Sequence, residues 1–317
     1  MASSCGLLLL LAAGGFVSIS DGRFVDEECA EFHFHGWNGW RVVDAALNQP
    51  ASLTRRFKDA QEAGLNVLRF FLGDDERSPV LQTAPGVFDE RVAQAVDFVL
   101  AESAAHSIKL TPVLLNLWKR NNGVPQFEEW CGTASTSRQP RPGGGSLDAQ
   151  ERLQTPYDWL VSPKCRDQVK KYFTTLVNRR NTITGVLYKD DPTIMSWNLL
   201  NEPRCRSCGP EAVDSWIGEM AGHLKSVDPN HLITTGAEGF FDESDPMARY
   251  NPQDRSLWAS RTGQHFRANH AHAAISYATV HTWPDNWRNP PFPTSWGRQW
   301  LDAHSQVFKP KIVRVWL

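Results

Sequence analysis

The chain has 317 residues, of which 41% are hydrophobic and 21% are charged, and this composition is typical of globular proteins. Its 33 Lys and Arg residues against 35 Asp and Glu residues give a formal net charge of −2. Such a balance provides no broad positive field for a phosphate backbone or an anionic lipid surface. We therefore expect neither nucleic acid nor a membrane as a partner.

The N-terminal segment predicts a secreted protein. Residues 6–17 form a long apolar run, but this run is shorter than the roughly 20 residues that span a bilayer. Small residues follow, so we expect a signal peptide over residues 1–20 with cleavage before Asp21, although no Lys or Arg precedes the run. The mature chain, 21–317, would be one extracellular domain, because no shift in composition marks a linker.

Short apolar runs of strand length alternate along the chain with longer segments of helical periodicity. The candidate strands are 32–38, 66–72, 109–116, 194–201, 231–238, 277–283 and 311–317. The candidate helices are 52–63, 89–107, 162–181, 210–227 and 295–307. This α/β alternation predicts βα units around a parallel sheet, closed into one barrel. The polar stretch 132–156 interrupts it and predicts a surface insertion, with a substrate-shaping lid as the alternative.

One strand end carries the clearest chemical signal. The apolar run 194–200 is followed by Asn201, Glu202 and Pro203, so the strand delivers a carboxylate at its C-terminal end before the proline ends the ladder. We expect Glu202 to face a half-shielded cleft, where desolvation raises its pKa toward the range of a proton donor. The alternative is that Glu202 only caps the helix that follows.

The segment around this motif, 188–205, resembles the endo-β-1,4-mannanases of glycoside hydrolase family 5. Further matching motifs occur in the family's order at 36–38, 66–69, 216–221, 236–241 and 281–287. The resemblance implies a (β/α)8 TIM barrel and retaining hydrolysis of internal β-1,4-mannosidic bonds. The implied partner is β-mannan or a related plant or algal polysaccharide, bound by a monomer that needs no cofactor and no metal.

The same resemblance assigns roles to individual side chains. Glu202 matches the acid/base residue, and Asn201 matches the amide that contacts the sugar 2-hydroxyl. Arg69 matches the guanidinium beside the nucleophile, with an ion pair at the barrel bottom as the alternative. These assignments place all three residues at the same end of the barrel.

Three further residues complete the expected substrate site. His281 and Trp283 stand two apart on one strand, so both would point into the cleft. The family more often has Tyr where Trp283 stands, and Phe71 replaces a common substrate-stacking Trp. We expect these residues to bind substrate.

The second carboxylate of the family pattern is missing. The family's nucleophile is a Glu after the seventh strand, but here Arg314 or Val315 stands in that place and no acidic residue follows Asp302. The pattern predicts an incomplete barrel of seven strands that lacks the eighth βα unit. We expect a truncated or mis-spliced gene product that hydrolyses glycosidic bonds slowly, because catalytic groups that act together lose most of their effect when one is missing. Replacement by Glu238 is disfavoured, because its place in the family pattern is structural or substrate-facing.

Two alternative functions stay open at this point. The first is a non-catalytic carbohydrate-binding barrel that kept the sugar cleft. The second is a β-1,4-glucanase, because Asn-Glu-Pro on a barrel strand also occurs in family 5 cellulases.

The cysteine pattern favours disulfides over a metal or redox site. Cys205 and Cys208 form a C-x-x-C pair without a second pair at metal-ligand spacing, so a local disulfide at the rim of the site is expected. Cys131 and Cys165 flank the polar insertion and could bridge its base, a pairing that the sequence leaves open. The sequence has no glycine-rich phosphate loop, so no cofactor is expected.

Overall fold

The computed structural model describes residues 15–73, 80–118, 121–133, 159–252, 256–287 and 292–307, and the backbone of 313–316. The strands are β1 (Ser18–Ser20), β2 (Arg23–Val25), β3 (Gly36–Gly39), β4 (Val67–Phe71), β5 (Gln82–Ala84), β6 (Val87–Phe88), β7 (Lys109–Asn116), β8 (Ser196–Asn201), β9 (Leu232–Thr234), β10 (Ala278–His281) and β11 (Val313–Trp316). The helices are α1 (Val42–Asn48), α2 (Pro50–Glu62), α3 (Glu90–Ala105), α4 (Val124–Cys131), α5 (Pro163–Val177), α6 (Gly209–Val227), α7 (Phe266–Ala271) and α8 (Thr294–Val307).

The strands that carry the fold are parallel and follow one another in chain order. One sheet has the order β3-β4-β7-β8-β9, and β10 pairs in parallel with β11. Two backbone hydrogen bonds connect these groups, from Ser276 N to Ile233 O (2.8 Å) and from His281 N to Glu238 O (2.9 Å). Each predicted strand overlaps an observed one. Strands β4, β7, β8, β9 and β10 are buried along nearly their whole length, as in a sheet covered by helices.

The helices cover the outside of the sheet and begin at recognisable caps. Asp89 accepts hydrogen bonds from two backbone amides at the start of α3, and Ser162 accepts one from Cys165 N at the start of α5. The predicted helices are all confirmed within a few residues, whereas α1, α4 and α7 were not predicted. None of the helices in the described ranges is long and apolar enough to cross a membrane.

The expected Cys205–Cys208 disulfide is confirmed, and the pairing of Cys131 with Cys165 that the sequence left open is also present. Cys131 at the end of α4 is bonded to Cys165 in α5, so the bridge joins the two helices that flank the polar insertion. Cys205 is bonded to Cys208, directly before α6. Most of the insertion predicted at 132–156 lies outside the described residues, and so does most of the predicted signal peptide.

The described residues of the N-terminal segment cover the N-terminal ends of the parallel strands. Strand β1 pairs in antiparallel fashion with β2, and Val17 is buried in a cluster with Phe24 and Tyr277. The cluster also holds Val67 and Leu232, at the N-terminal ends of β4 and β9. The opposite ends of the strands are left to form the functional cleft.

Candidate active site

One cleft collects polar and aromatic side chains from the C-terminal halves of β3, β4, β8 and β10 and the residues that follow them. It is lined by Asn38, Trp40, Arg69, Asn201, Glu202, His281 and Trp283. The cleft therefore brings together every predicted site residue except Phe71. Parallel strands place their C-terminal ends at one edge of the sheet, which explains how residues far apart in sequence meet.

The backbone fixes the position of Glu202 at the end of β8. Glu202 has a left-handed φ of 60°, a conformation that costs a side-chain-bearing residue about 1–3 kcal/mol and concentrates at functional sites. Its N–H donates to Gly236 O at 2.9 Å. Gly236 also has a positive φ, and a Cβ there would lie 2.0 Å from Asn198 Nδ2. Only glycine fits at position 236, and its close approach to β8 fixes the end of that strand.

Two side chains orient the Glu202 carboxylate. His281 Nδ1 lies 2.8 Å from Oε1, and the indole Nε1 of Trp118 donates to Oε2. Because a carboxylate only accepts, the His281 tautomer with a proton on Nδ1 is assigned. The helix-cap alternative is wrong, because α6 begins at Gly209 with Cys208 at its N-cap position.

The expected rise in the pKa of Glu202 is also wrong. Burial raises this pKa, but hydrogen bonds from His281 and Trp118 and the charge of Arg204 outweigh burial and lower the pKa to about 2. Among the seven residues that line the cleft, Glu202 is the one carboxylate. The buried Glu238 takes up the like-charge repulsion, because burial and the charge of Glu202 raise the pKa of Glu238 to about 7. Glu202 is therefore ionised at neutral pH.

The substitution Trp118→Phe tests this account of the pKa. We expect the pKa of Glu202 to rise toward its ordinary value of about 4.3, because the charged form loses one hydrogen-bond donor. The measurement is a carboxyl carbon NMR titration of glutamate-labelled protein, with Glu202→Gln to assign the resonance. Trp216→Phe, which changes a buried indole in α6, should leave the titration unchanged. An unshifted curve in Trp118→Phe would contradict the assigned hydrogen bond.

Arg69 presents its charge to the cleft. Its guanidinium donates to three amide oxygens, from Nε to Asn198 (2.9 Å), from Nη1 to Asn38 (3.1 Å) and from Nη2 to Asn201 (2.7 Å). Burial lowers the pKa of Arg69 to about 10, with Glu202 acting against this decrease, so the group stays charged at pH 7. The predicted alternative, an ion pair at the barrel bottom, is wrong, because Arg69 lines the cleft at the other end.

The aromatic surface of the cleft differs from the expected one. Phe71 is only 1% exposed, and the ring of Trp40 stacks on it at 4.1 Å between centroids with an interplanar angle of 11°. Trp40 is 46% exposed, so Trp40 and not Phe71 presents a ring to the cleft. Trp40 was not among the predicted site residues, although its position two residues after the predicted first strand was a usable signal.

Comparisons with known proteins match this architecture. A model of the family described as "GH family 5 beta-mannosidase-like" matches residues 14–290. Mannan endo-1,4-beta-mannosidase 1 of Solanum lycopersicum is 33% identical over 95% of this chain and 73% of the relative. Putative mannan endo-1,4-beta-mannosidase 5 of Oryza sativa subsp. japonica is 36% identical over 86% of this chain and 53% of the relative. The chain thus spans between about half and three-quarters of these relatives' lengths.

Solved structures give the same result. The endo-1,4-beta-mannanase of Rhizomucor miehei superposes with a TM-score of 0.76 at 25% identity, covering 95% of this chain and 80% of the other. The hyperthermostable endo-1,4-beta-D-mannanase of Thermotoga petrophila gives a TM-score of 0.73 at 26% identity, covering 89% and 78%. The expected TIM-barrel type and the resemblance are confirmed, and the chain belongs to the β-mannosidase-like proteins of glycoside hydrolase family 5.

Proposed function

We propose that the protein binds β-1,4-linked mannan in this cleft and that Glu202 is the acid/base residue of a retaining endo-mannanase reaction. The observation that carries the proposal is the Glu202 carboxylate, fixed at a barrel strand end beside Asn201, Arg69 and the open ring of Trp40. Aromatic rings suit the apolar C–H faces of sugars, and polar groups around them set orientation. The similar proteins named above are mannan endo-1,4-beta-mannosidases.

A retaining mechanism gives Glu202 two tasks. It first protonates the departing sugar oxygen, while a second carboxylate about 5 to 5.5 Å away attacks the anomeric carbon, and it then removes a proton from the incoming water. An ionised Glu202 suits the second task directly. The first requires a raised pKa, which a second carboxylate nearby would produce by like-charge repulsion.

The place for that second carboxylate is next to β10. Strand β11 pairs with β10 so that Trp316 lies opposite His281, and His281 contacts Glu202. The resemblance places the family's nucleophile at Arg314 or Val315, whose side chains lie outside the described residues.

A binding function without hydrolysis is the second candidate. Two observations favour this candidate. Glu202 is the one carboxylate in the described lining of the cleft, and its pKa of about 2 leaves it without a proton to donate at neutral pH. Both candidates require a mannan-binding cleft, and they differ only in whether bonds are cleaved. The glucanase alternative differs in the sugar that the cleft prefers.

Calorimetric titration with mannohexaose and cellohexaose tests the binding step. We expect mannohexaose to bind more tightly, and Trp40→Ala to weaken this binding on the order of tenfold, because the sugar loses its stacking surface. Ile183→Ala removes another exposed apolar side chain, 57% exposed, and should leave binding unchanged. Tighter binding of cellohexaose would support the glucanase alternative, and no binding of either sugar to folded protein would refute the proposal.

We also propose that the protein is secreted. The Cys131–Cys165 and Cys205–Cys208 disulfides suit an oxidising compartment. The buried Val17 and the pairing of β1 favour a mature N-terminus before residue 15 over the cleavage expected at Asp21. N-terminal sequencing of protein from the medium of a eukaryotic host checks both points. Retention of the intact chain in the cells would contradict secretion, and a start at Asp21 would contradict the earlier boundary.

A further inference from the structure

A buried polar cluster lies directly behind the cleft. Arg204 Nε donates to Glu238 Oε1 at 2.6 Å, and Gln264 Nε2 donates to Glu238 Oε2. Arg204 is 2% exposed, and Glu238 and Gln264 are 0% exposed. Because both oxygens of Glu238 are held by these donors and Glu238 does not line the cleft, it is poorly placed to replace a nucleophile.

The guanidinium of Arg204 lies among aromatic rings. Its central carbon is 4.9 Å from the ring centroid of Trp118, 5.3 Å from that of Phe240 and 5.6 Å from that of Trp258. Stacking of this kind is favourable for a planar cation with little access to water. Within the described part of the chain, Arg204 Nη1 has no hydrogen-bond partner. The pair with Glu238 and the three rings therefore fix the guanidinium.

The cluster is also tied to the loop after β9. Gln264 Oε1 accepts hydrogen bonds from Gly239 N and Phe240 N, each at 3.3 Å. Glu238 itself is the residue before Gly239. The carboxylate of Glu238 is thus held on one side by Gln264, which is itself bound to the backbone after β9, and on the other side by Arg204.

We propose that Glu238 is a positioning residue for Glu202: it holds Arg204 against the ring of Trp118 and thereby fixes the indole N–H that donates to the Glu202 carboxylate. The contacts run without a gap from Glu238 to Arg204, to Trp118, to Glu202. The role in catalysis rests on the proposed function, whereas the positioning does not.

A purely structural ion pair would behave differently. Asp97 in α3 is also 0% exposed and pairs with Arg179, at 2.6 Å between Asp97 Oδ2 and Arg179 Nη2. Loss of either buried carboxylate should lower stability. Only loss of Glu238 should change the hydrogen bond of Trp118, so Asp97→Asn is the matched control for Glu238→Gln.

The test follows the Trp118 indole N–H by NMR in the full chain labelled with nitrogen-15, assigned by its disappearance in Trp118→Phe. Glu202→Gln should shift the resonance and so establish that it reports on this hydrogen bond. We expect Glu238→Gln and Glu238→Ala to shift it in the same direction and to speed its exchange with solvent on the order of tenfold, more for Ala, which leaves no acceptor for Arg204. Asp97→Asn should leave both quantities unchanged.

Arg204→Lys provides an independent variant if the Glu238 variants do not fold. Lysine keeps the charge beside Glu238 but lacks the planar group that stacks on Trp118, so the resonance should shift as well. An unchanged indole resonance and exchange rate in the folded variants would overturn the proposal. Mannohexaose titration of the unmutated chain separates the two claims, since absent binding refutes the proposed function and leaves the positioning result intact.

Discussion

Replacing the chain from Lys309 onward by the matching segment of the Solanum lycopersicum relative is expected to raise mannan hydrolysis by roughly 10³-fold or more. The replaced residues include Arg314 and Val315, where the resemblance places the family's nucleophile. Catalytic groups that act as a unit lose most of their effect when one is missing, so supplying the second carboxylate should recover a large factor. Release of reducing sugar from mannan measures the gain.

Two variants of this chimaera serve as controls. Glu202→Gln should remove the gain, since no group is left to protonate the leaving oxygen, whereas Glu243→Gln changes an exposed carboxylate and should preserve it. The pKa of Glu202 should rise from about 2 in the chimaera, because a like charge then opposes its ionisation. A folded chimaera with no added hydrolysis would refute the nucleophile position assigned after the seventh strand, and a Glu202→Gln chimaera that keeps the gain would refute Glu202 as the acid/base residue.

Asp97→Asn is expected to lower the free energy of unfolding by about 3 kcal/mol. Asp97 accepts hydrogen bonds from Arg179, Tyr188 and Thr182, including one from the Tyr188 hydroxyl at 2.6 Å. Removing one partner of a buried ion pair costs about 3–5 kcal/mol, and the lower end applies because Glu90 remains bonded to Arg179. Denaturant unfolding at pH 7 measures the change in the free energy of unfolding.

The stabilisation by Asp97 depends on pH in a predictable direction. Burial raises the pKa of Asp97, but hydrogen bonds from Arg179, Tyr188 and Thr182 outweigh it and hold the pKa below its usual value. The stabilisation is therefore complete above the unfolded pKa of about 3.9 and is lost as the pH falls through the lower folded value. The difference between wild type and Asp97→Asn should shrink in acid. A constant difference would mean that the carboxylate charge is not its cause.

Much of the fold could be predicted because its signals are local. Apolar runs and helical periodicity identified each strand of the parallel sheet, and the motifs at 66–69 and 281–287 located Arg69 and His281. Short helices such as α1 and α7 have too few turns to produce a clear period, so they were missed. These signals report on neighbouring residues only, so they do not predict contacts between distant segments of the site.

The rest of the site depends on contacts between distant segments. Trp118 follows β7 and Arg204 follows β8, and nothing in the sequence indicates that one stacks on the other. The pKa of Glu202 was predicted with the wrong sign, because it is the net result of opposing effects whose sizes depend on geometry. Likewise, the stacking of Trp40 on Phe71 decides which ring is open, although both residues follow recognisable strands.

The left-handed turn at Glu202 has a consequence for engineering. The backbone of Glu202 is anchored by the bond from Glu202 N to Gly236 O, which joins the ends of two neighbouring strands, and Trp118 and His281 hold its carboxylate. Exchanging segments that contribute neither Trp118 nor Gly236 should therefore change the surroundings of the cleft while the Glu202 carboxylate keeps its position.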